Sequence, residues 1–166
     1  MNVALDIEQL SGRFQRWFRI WRGDRWSGAH ARGWYEGRIL AANLLDGRYT
    51  TADYRAIPSV VFTLPPLAGV GLSEADARSK YPEIVVKHED TSKWYSSRRV
   101  GESFSAFKVL IDTRTDQIVG AHLLGPSADE TINLFTLAMR GGINATQFKQ
   151  TLWSYPTHAS DTSYMV

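Results

Sequence analysis

The chain has 166 residues, 43% hydrophobic and 22% charged, an ordinary globular usage with room for one domain and an extension. It has no cysteine, which excludes disulfides, thiolate metal ligands and a redox dithiol on these residues and fits a reducing cytoplasm, where we expect it to work. The net charge of +2 is unevenly placed: residues 1–48 hold eight arginines against five acids, a net +3, and residues 49–166 hold eleven bases against twelve acids, a net −1.

No apolar run approaches the roughly 18 residues a membrane helix needs, and the N-terminus has no secretory apolar core. Residues 13–22 (RFQRWFRIWR) place Phe14, Trp17, Phe18 and Trp21 on one helical face, with Arg13, Arg16, Arg19 and Arg22 around the other. Three glycines break residues 23–33, which read as loop. Helical spacing returns over 34–45 through Ile39, Ala42 and Leu45, with Gly47 as the expected C-terminal cap.

The main domain follows. Ser59–Leu64 is β-branched and closed by Pro65-Pro66, so it predicts a strand, and Ala68–Leu72 predicts a second. Ser73 caps a helix with Glu74 and Asp76 in its first turn, stopping before Pro82. Glu83–His88 predicts a strand. Ser103–Asp112 alternates, with Ser105, Phe107, Val109 and Ile111 on one face, and turns through Thr113–Asp116 into the antiparallel strand Gln117–Leu124. Ser127 caps a helix over Ala128–Arg140 with Ile132, Leu134, Phe135 and Ala138 inward, ended by Gly141-Gly142. Asn144 or Thr146 starts one more short helix. The order predicts an α+β domain: an antiparallel sheet covered by helices on one side, preceded by an N-terminal helical extension.

The search for chemistry is mostly negative. The only G-x-G, Gly69-Val70-Gly71, lacks a third glycine and a following dinucleotide-binding helix, and reads as a tight strand. The four histidines, His30, His88, His122 and His158, are scattered, so no metal site is expected, and His122 reads as a satisfied core histidine. Ser160, His158 and Asp161 compose a triad only on paper. No G-x-S-x-G surrounds the serine, and helix capping and interface hydrogen bonding are the expected roles. The cationic, aromatic stretch Arg13–Arg25 has the character of a surface for acidic lipid or nucleic acid, weighed against docking of its aromatic face on the domain or disorder of the segment. We expect neither a nucleic-acid nor a membrane partner, and keep such an adaptor as the weaker alternative.

Three stretches together resemble one family. Ile57-Pro58-Ser59-Val60-Val61-Phe62-Thr63 with Pro65-Pro66-Leu67-Ala68-Gly69-Val70-Gly71-Leu72-Ser73-Glu74 is similar to the entry of the interface domain of the pyridine nucleotide-disulfide oxidoreductases: glutathione reductase, dihydrolipoamide dehydrogenase and mercuric reductase. Gly120-Ala121-His122-Leu123-Leu124-Gly125-Pro126, with Ala128-Asp129-Glu130 and Ile132-Asn133, resembles its central hairpin and the helix behind it. Tyr155-Pro156-Thr157-His158 resembles its C-terminal motif. The resemblance covers about residues 34–166, and the segment from Tyr35 to Leu45 is similar to the helix that follows the last flavin-contacting loop. Gly23-Asp24 is a worn candidate for the flavin-binding Gly-Asp pair.

The resemblance implies a dimerisation domain over 49–166, a helix from the end of a flavin domain over 34–48, and over 1–33 an extension that is a degenerate remnant. The parent family uses FAD and NAD(P), but this chain has no glycine fingerprint, nicotinamide domain or paired cysteines, so no cofactor is expected on it alone. The family places a catalytic histidine where Tyr155 stands. His158 is offset by three, and Asp161 lies one place beyond the usual first acid. A phenol donates a hydrogen bond but is a poor base at neutral pH, so no catalytic residue is expected. The expected function is a dimerisation module from a truncated or split oxidoreductase, homodimeric and not catalytic alone. The alternative is a subunit completing an enzyme with a separate flavin- and nicotinamide-binding chain.

Overall fold

A computed structural model of the chain describes residues 29–47 and 49–166. The chain divides into two units, residues 1–53 and 54–166. The described part of the first is a helix, α1 (Ala29–Leu45), followed by an irregular tail. Residues 29–33, expected as loop, are its first turn and a half. Gly33 and Gly37 sit inside it, each at a cost of about 1 kcal/mol against alanine, which helical neighbours absorb. Gly47, at φ +63°, lies just past its end. Asn43 ties the tail back: its side chain donates to Thr50 O at 2.8 Å and accepts from Thr50 N–H at 2.9 Å, while Asp53 N–H donates to the Tyr35 hydroxyl at 2.9 Å.

The second unit is a five-stranded antiparallel sheet with helices. In chain order it runs β1 (Ser59–Val61), β2 (Leu67–Gly71), α2 (Glu74–Lys80), β3 (Ile84–Asp90), α3 (Tyr95–Arg99), β4 (Ala106–Asp112), β5 (Gln117–Leu124), α4 (Ala128–Gly141), α5 (Ala145–Gln150) and α6 (His158–Asp161), closing on a 3₁₀ turn over Thr162–Tyr164. The spatial order is β1-β2-β5-β4-β3. The expected central hairpin is β4–β5. Its turn is held by the buried Asp112 carboxylate, which accepts from Thr115 Oγ1 at 2.6 Å and from Arg114 N–H at 3.3 Å. Asp116 adopts φ +57°, which aspartate tolerates better than most residues.

The core follows from strand alternation. Phe107, Val109, Ala121, Leu123, Ala68 and Val70 point to one face and meet Ile132, Phe135 and Ala138 of α4. Phe135 stacks on Phe148 of α5 at 5.0 Å between centroids. Alternation puts Leu110 and Ile111 on opposite faces, and a register shift there, where Leu110 pairs with Gly120 and Ile111 with Ile118, leaves Val119 unpaired on the Leu110 face. Leu110 and Val119 thereby join Ala77 of α2 in a second, smaller cluster. The larger helical cover is thus on one face, and the short α2 lies against the other.

Caps explain where the helices begin. The Ser73 hydroxyl accepts from Asp76 N–H at 3.2 Å. Asn144, not Thr146, starts α5, in a reciprocal capping box with Gln147. Ser127 departs from expectation: it precedes α4, but at φ +59° it makes no side-chain cap. A capping side chain reaches back from extended backbone, whereas Ser127 instead offers its carbonyl to Thr131 N–H at 2.8 Å.

The C-terminal turn as candidate functional site

The candidate residues Tyr155, His158 and Asp161 lie in one short C-terminal stretch. Thr157 shapes it. Its hydroxyl donates to Ser154 O at 2.6 Å and accepts from Ser160 N–H at 3.1 Å, while Ser160 Oγ accepts from Thr157 N–H at 3.1 Å. This reciprocal capping box starts α6 at His158. Ser160 Oγ also donates to Thr157 O at 2.7 Å. The hydroxyl is engaged with the Thr157 backbone in both directions.

His158 and Asp161 are three residues apart on one helix, a spacing that puts their side chains on the same face. Both are half-buried. The neighbouring helix α3 brings Ser96 and Arg99 to them. The Ser96 hydroxyl donates to the Asp161 carboxylate, and the Arg99 charge acts on both groups. Burial holds the Asp161 carboxyl above the ordinary 3.8. The Ser96 hydrogen bond and the charges of His158 and Arg99 pull it down by less. Burial pushes His158 below the ordinary 6.5, with Arg99 acting in the same direction and Asp161 against it. The space beside the pair, bounded by Thr91, Ser97, Gly125 and Met165, is about 30 Å³. That is room for a water or two and not for an organic substrate.

Ser96 and Arg99 escape a reading of the sequence because α3, five residues long, is too short to show a helical period. The one available signal was the pair Arg98-Arg99 ahead of Gly101, a basic last turn with glycine beyond it. Tyr155 does not join the cluster: it is 78% exposed, its phenol presented at the surface. His122 is half-buried, its Nε2 3.0 Å from Leu72 O. Gly23, Asp24 and the stretch Arg13–Arg25 lie outside the described residues. Among the described residues no three His, Cys, Asp or Glu side chains converge on a point, and no helix is long and apolar enough to cross a membrane.

A dinucleotide requires a glycine-rich turn between a strand and a helix. Gly69-Val70-Gly71 lies instead inside β2, paired residue for residue with His122, Ala121 and Gly120 of β5. A Cβ at Gly71 would collide with the Val119 carbonyl, and one at Gly120 with the Leu72 carbonyl. These glycines let two strands approach each other. The described residues do not fit a flavin or nicotinamide dinucleotide, and no chemical step through either is derived.

Comparison with known proteins accounts for this architecture. Residues 57–165 match the profile of the pyridine nucleotide-disulphide oxidoreductase dimerisation domain. A Staphylococcus aureus protein described as an "uncharacterized 19.7 kDa protein in mercuric resistance operon" is 47% identical over 131 residues, covering 79% of this chain and 73% of its own. The pea (Pisum sativum) chloroplastic/mitochondrial glutathione reductase is 32% identical over 126 residues, 76% of this chain but only 23% of the reductase. Among solved structures, the HOCl-induced flavoprotein disulfide reductase RclA from Escherichia coli superimposes with a TM-score of 0.73 at 26% identity, covering 78% of this chain and 30% of that one. The chain therefore spans most of one short relative and less than a third of the two reductases. It belongs to the pyridine nucleotide-disulphide oxidoreductase family and carries that family's dimerisation domain.

Proposed function

We propose that this chain works as a homodimerising module without catalysis of its own. The match of the dimerisation-domain profile over residues 57–165 carries the reading. The surface supports it. Val61, Phe62, Leu64 and Leu67 fall within seven residues at the β1–β2 end of the sheet, Val61 and Leu67 about half exposed, Leu64 at 100% and Phe62 at 83%. A cluster of this kind marks an interaction surface rather than ordinary scatter. In a two-fold dimer one patch meets its own copy, so a single apolar segment suffices on each chain. The C-terminal turn supplies no base in this reading, because the exposed Tyr155 stands where the family's histidine would be.

The module's activity is association. Its place of work is the cytoplasm, in keeping with a chain that uses no cysteine. The test pairs the parent chain with the double variant Phe62→Glu/Leu64→Glu in size-exclusion chromatography with light scattering. The parent should elute as a dimer and the variant as a folded monomer, since four like charges would face each other across the axis. A variant that remains fully dimeric would remove this patch from the interface, and a monomeric parent would remove the reading itself.

The 32% identity to the pea reductase over 126 residues supports a second reading: the module completes an enzyme whose flavin and nicotinamide domains reside on a separate chain. Co-purification of a yellow, flavin-absorbing partner supports that reading. A colourless protein recovered alone from its own host counts against it.

A further inference from the structure

A second cavity, far larger than the space at the C-terminal turn, lies wholly within the second unit. It measures about 380 Å³ and opens where β2, the end of α2, the start of β5 and Met139 of α4 meet. That volume is within the range of small-molecule sites, roughly 300–1,000 Å³. Its floor is apolar: Leu72, Val119 and Met139. Its walls are set by packing already described, since Gly71 and Gly120 draw β2 and β5 together. The segment over Tyr54–Ile57 is pinned by Arg140, whose Nη1 donates to Arg55 O at 3.0 Å.

The rim is where the chemistry lies. Lys80 stands 5.6 Å from the centre of the Tyr81 ring and, among the described residues, has no carboxylate partner. Gln117 and Tyr81 line the same cavity. The lining contains no acid. An apolar floor beneath a rim of net positive charge, with donors at Lys80, Tyr81 and Gln117, is complementary to an amphiphilic anion. We propose that this cavity binds a small carboxylate with a flat apolar body. The carboxylate is held by Lys80 and Gln117, and the body lies against Leu72, Val119 and Met139, where the methionine thioether suits an aromatic ring. The proposal is independent of dimer formation.

The test is a titration of the full chain, followed by NMR, with 2-naphthoate as the probe and 2-naphthalenemethanol and acetate as controls. The Gln117 side-chain amide and the Met139 methyl should shift together and saturate with naphthoate. The neutral alcohol should bind at least about threefold more weakly, the scale of one partly exposed charge contact, and acetate weaker still. Lys80→Gln should weaken naphthoate binding and narrow its preference over the alcohol. Lys80 is exposed, so the fold is not at risk, and Gln117→Leu gives an independent loss of naphthoate affinity. Saturable shifts confined to other parts of the chain, no shifts at all, or a preference untouched by Lys80→Gln would each overturn the proposal. Acetate binding as tightly as naphthoate would reduce the site to a simple anion contact and overturn it as well. Light scattering on the same samples records the oligomeric state, so a failure here is distinguishable from a failure of the dimer.

Discussion

His158 and Asp161 lie three residues apart on α6, and what they do there is set by burial. Asp161 titrates higher when folded, so its contribution to stability is fully present below 3.8 and is lost as pH rises through the folded value. His158 titrates lower when folded, so its contribution is present above 6.5 and is lost as pH falls through the folded value. Asp161→Asn, which still accepts from Ser96 but cannot ionise, should therefore melt higher than the parent at pH 7 and lose that advantage near pH 4. His158→Gln should match the parent at pH 8 and outlast it as pH falls below 6.5. Both effects are small, because both groups keep contact with solvent. Parallel melting-temperature profiles for parent and variants across this range would show that the two groups do not feel the environment described. The sequence expectation singled out Tyr155 as a departure from the family motif, but its exposure was not legible, because nothing in the order YPTH tells which way the turn presents the ring.

At the scale of elements, the glycines separate two kinds of backbone requirement. Gly142, at φ +69°, ends α4 with open space around its missing Cβ. Gly142→Ala should cost only the left-handed backbone penalty, about 1–2 kcal/mol. Gly71, at φ +80°, carries the same penalty, and a Cβ there would also strike the Val119 carbonyl and crowd Gly120. Gly71→Ala should then cost clearly more than Gly142→Ala in urea denaturation; equal losses would mean that the β2–β5 approach is not held by its glycines. Signals of this kind explain which elements were readable. The β4–β5 hairpin, α2 and α4 announce themselves through alternation, a serine cap or a long amphipathic period. The strands β1 and β4 came out shorter than their apolar runs, since pairing stops where a partner strand stops, not where β-branched residues do. The short helices α3 and α6 were invisible: a one-turn helix has no period, and α6 is held by a capping box whose second member is Ser160 rather than the usual Glu or Gln.

For the molecule as a whole, the fold and family were legible because glycines at the β2–β5 approach, the turn residues of the hairpin and the C-terminal motif constrain backbone geometry at widely separated positions. The cavity above Leu72 and Val119 was not legible, since it is assembled from four elements far apart in the chain, as was the partnership of α3 with α6. The sheet buries its core completely through α4 on one face and leaves Phe62 and Leu64 bare at one end. That distribution is what the proposed association would cover. Sedimentation equilibrium of the full chain at micromolar concentrations tests this most directly. The account predicts a single species of twice the 18.7 kDa chain mass, dissociating on dilution with the chain still folded. A strict 18.7 kDa monomer at every concentration would contradict it.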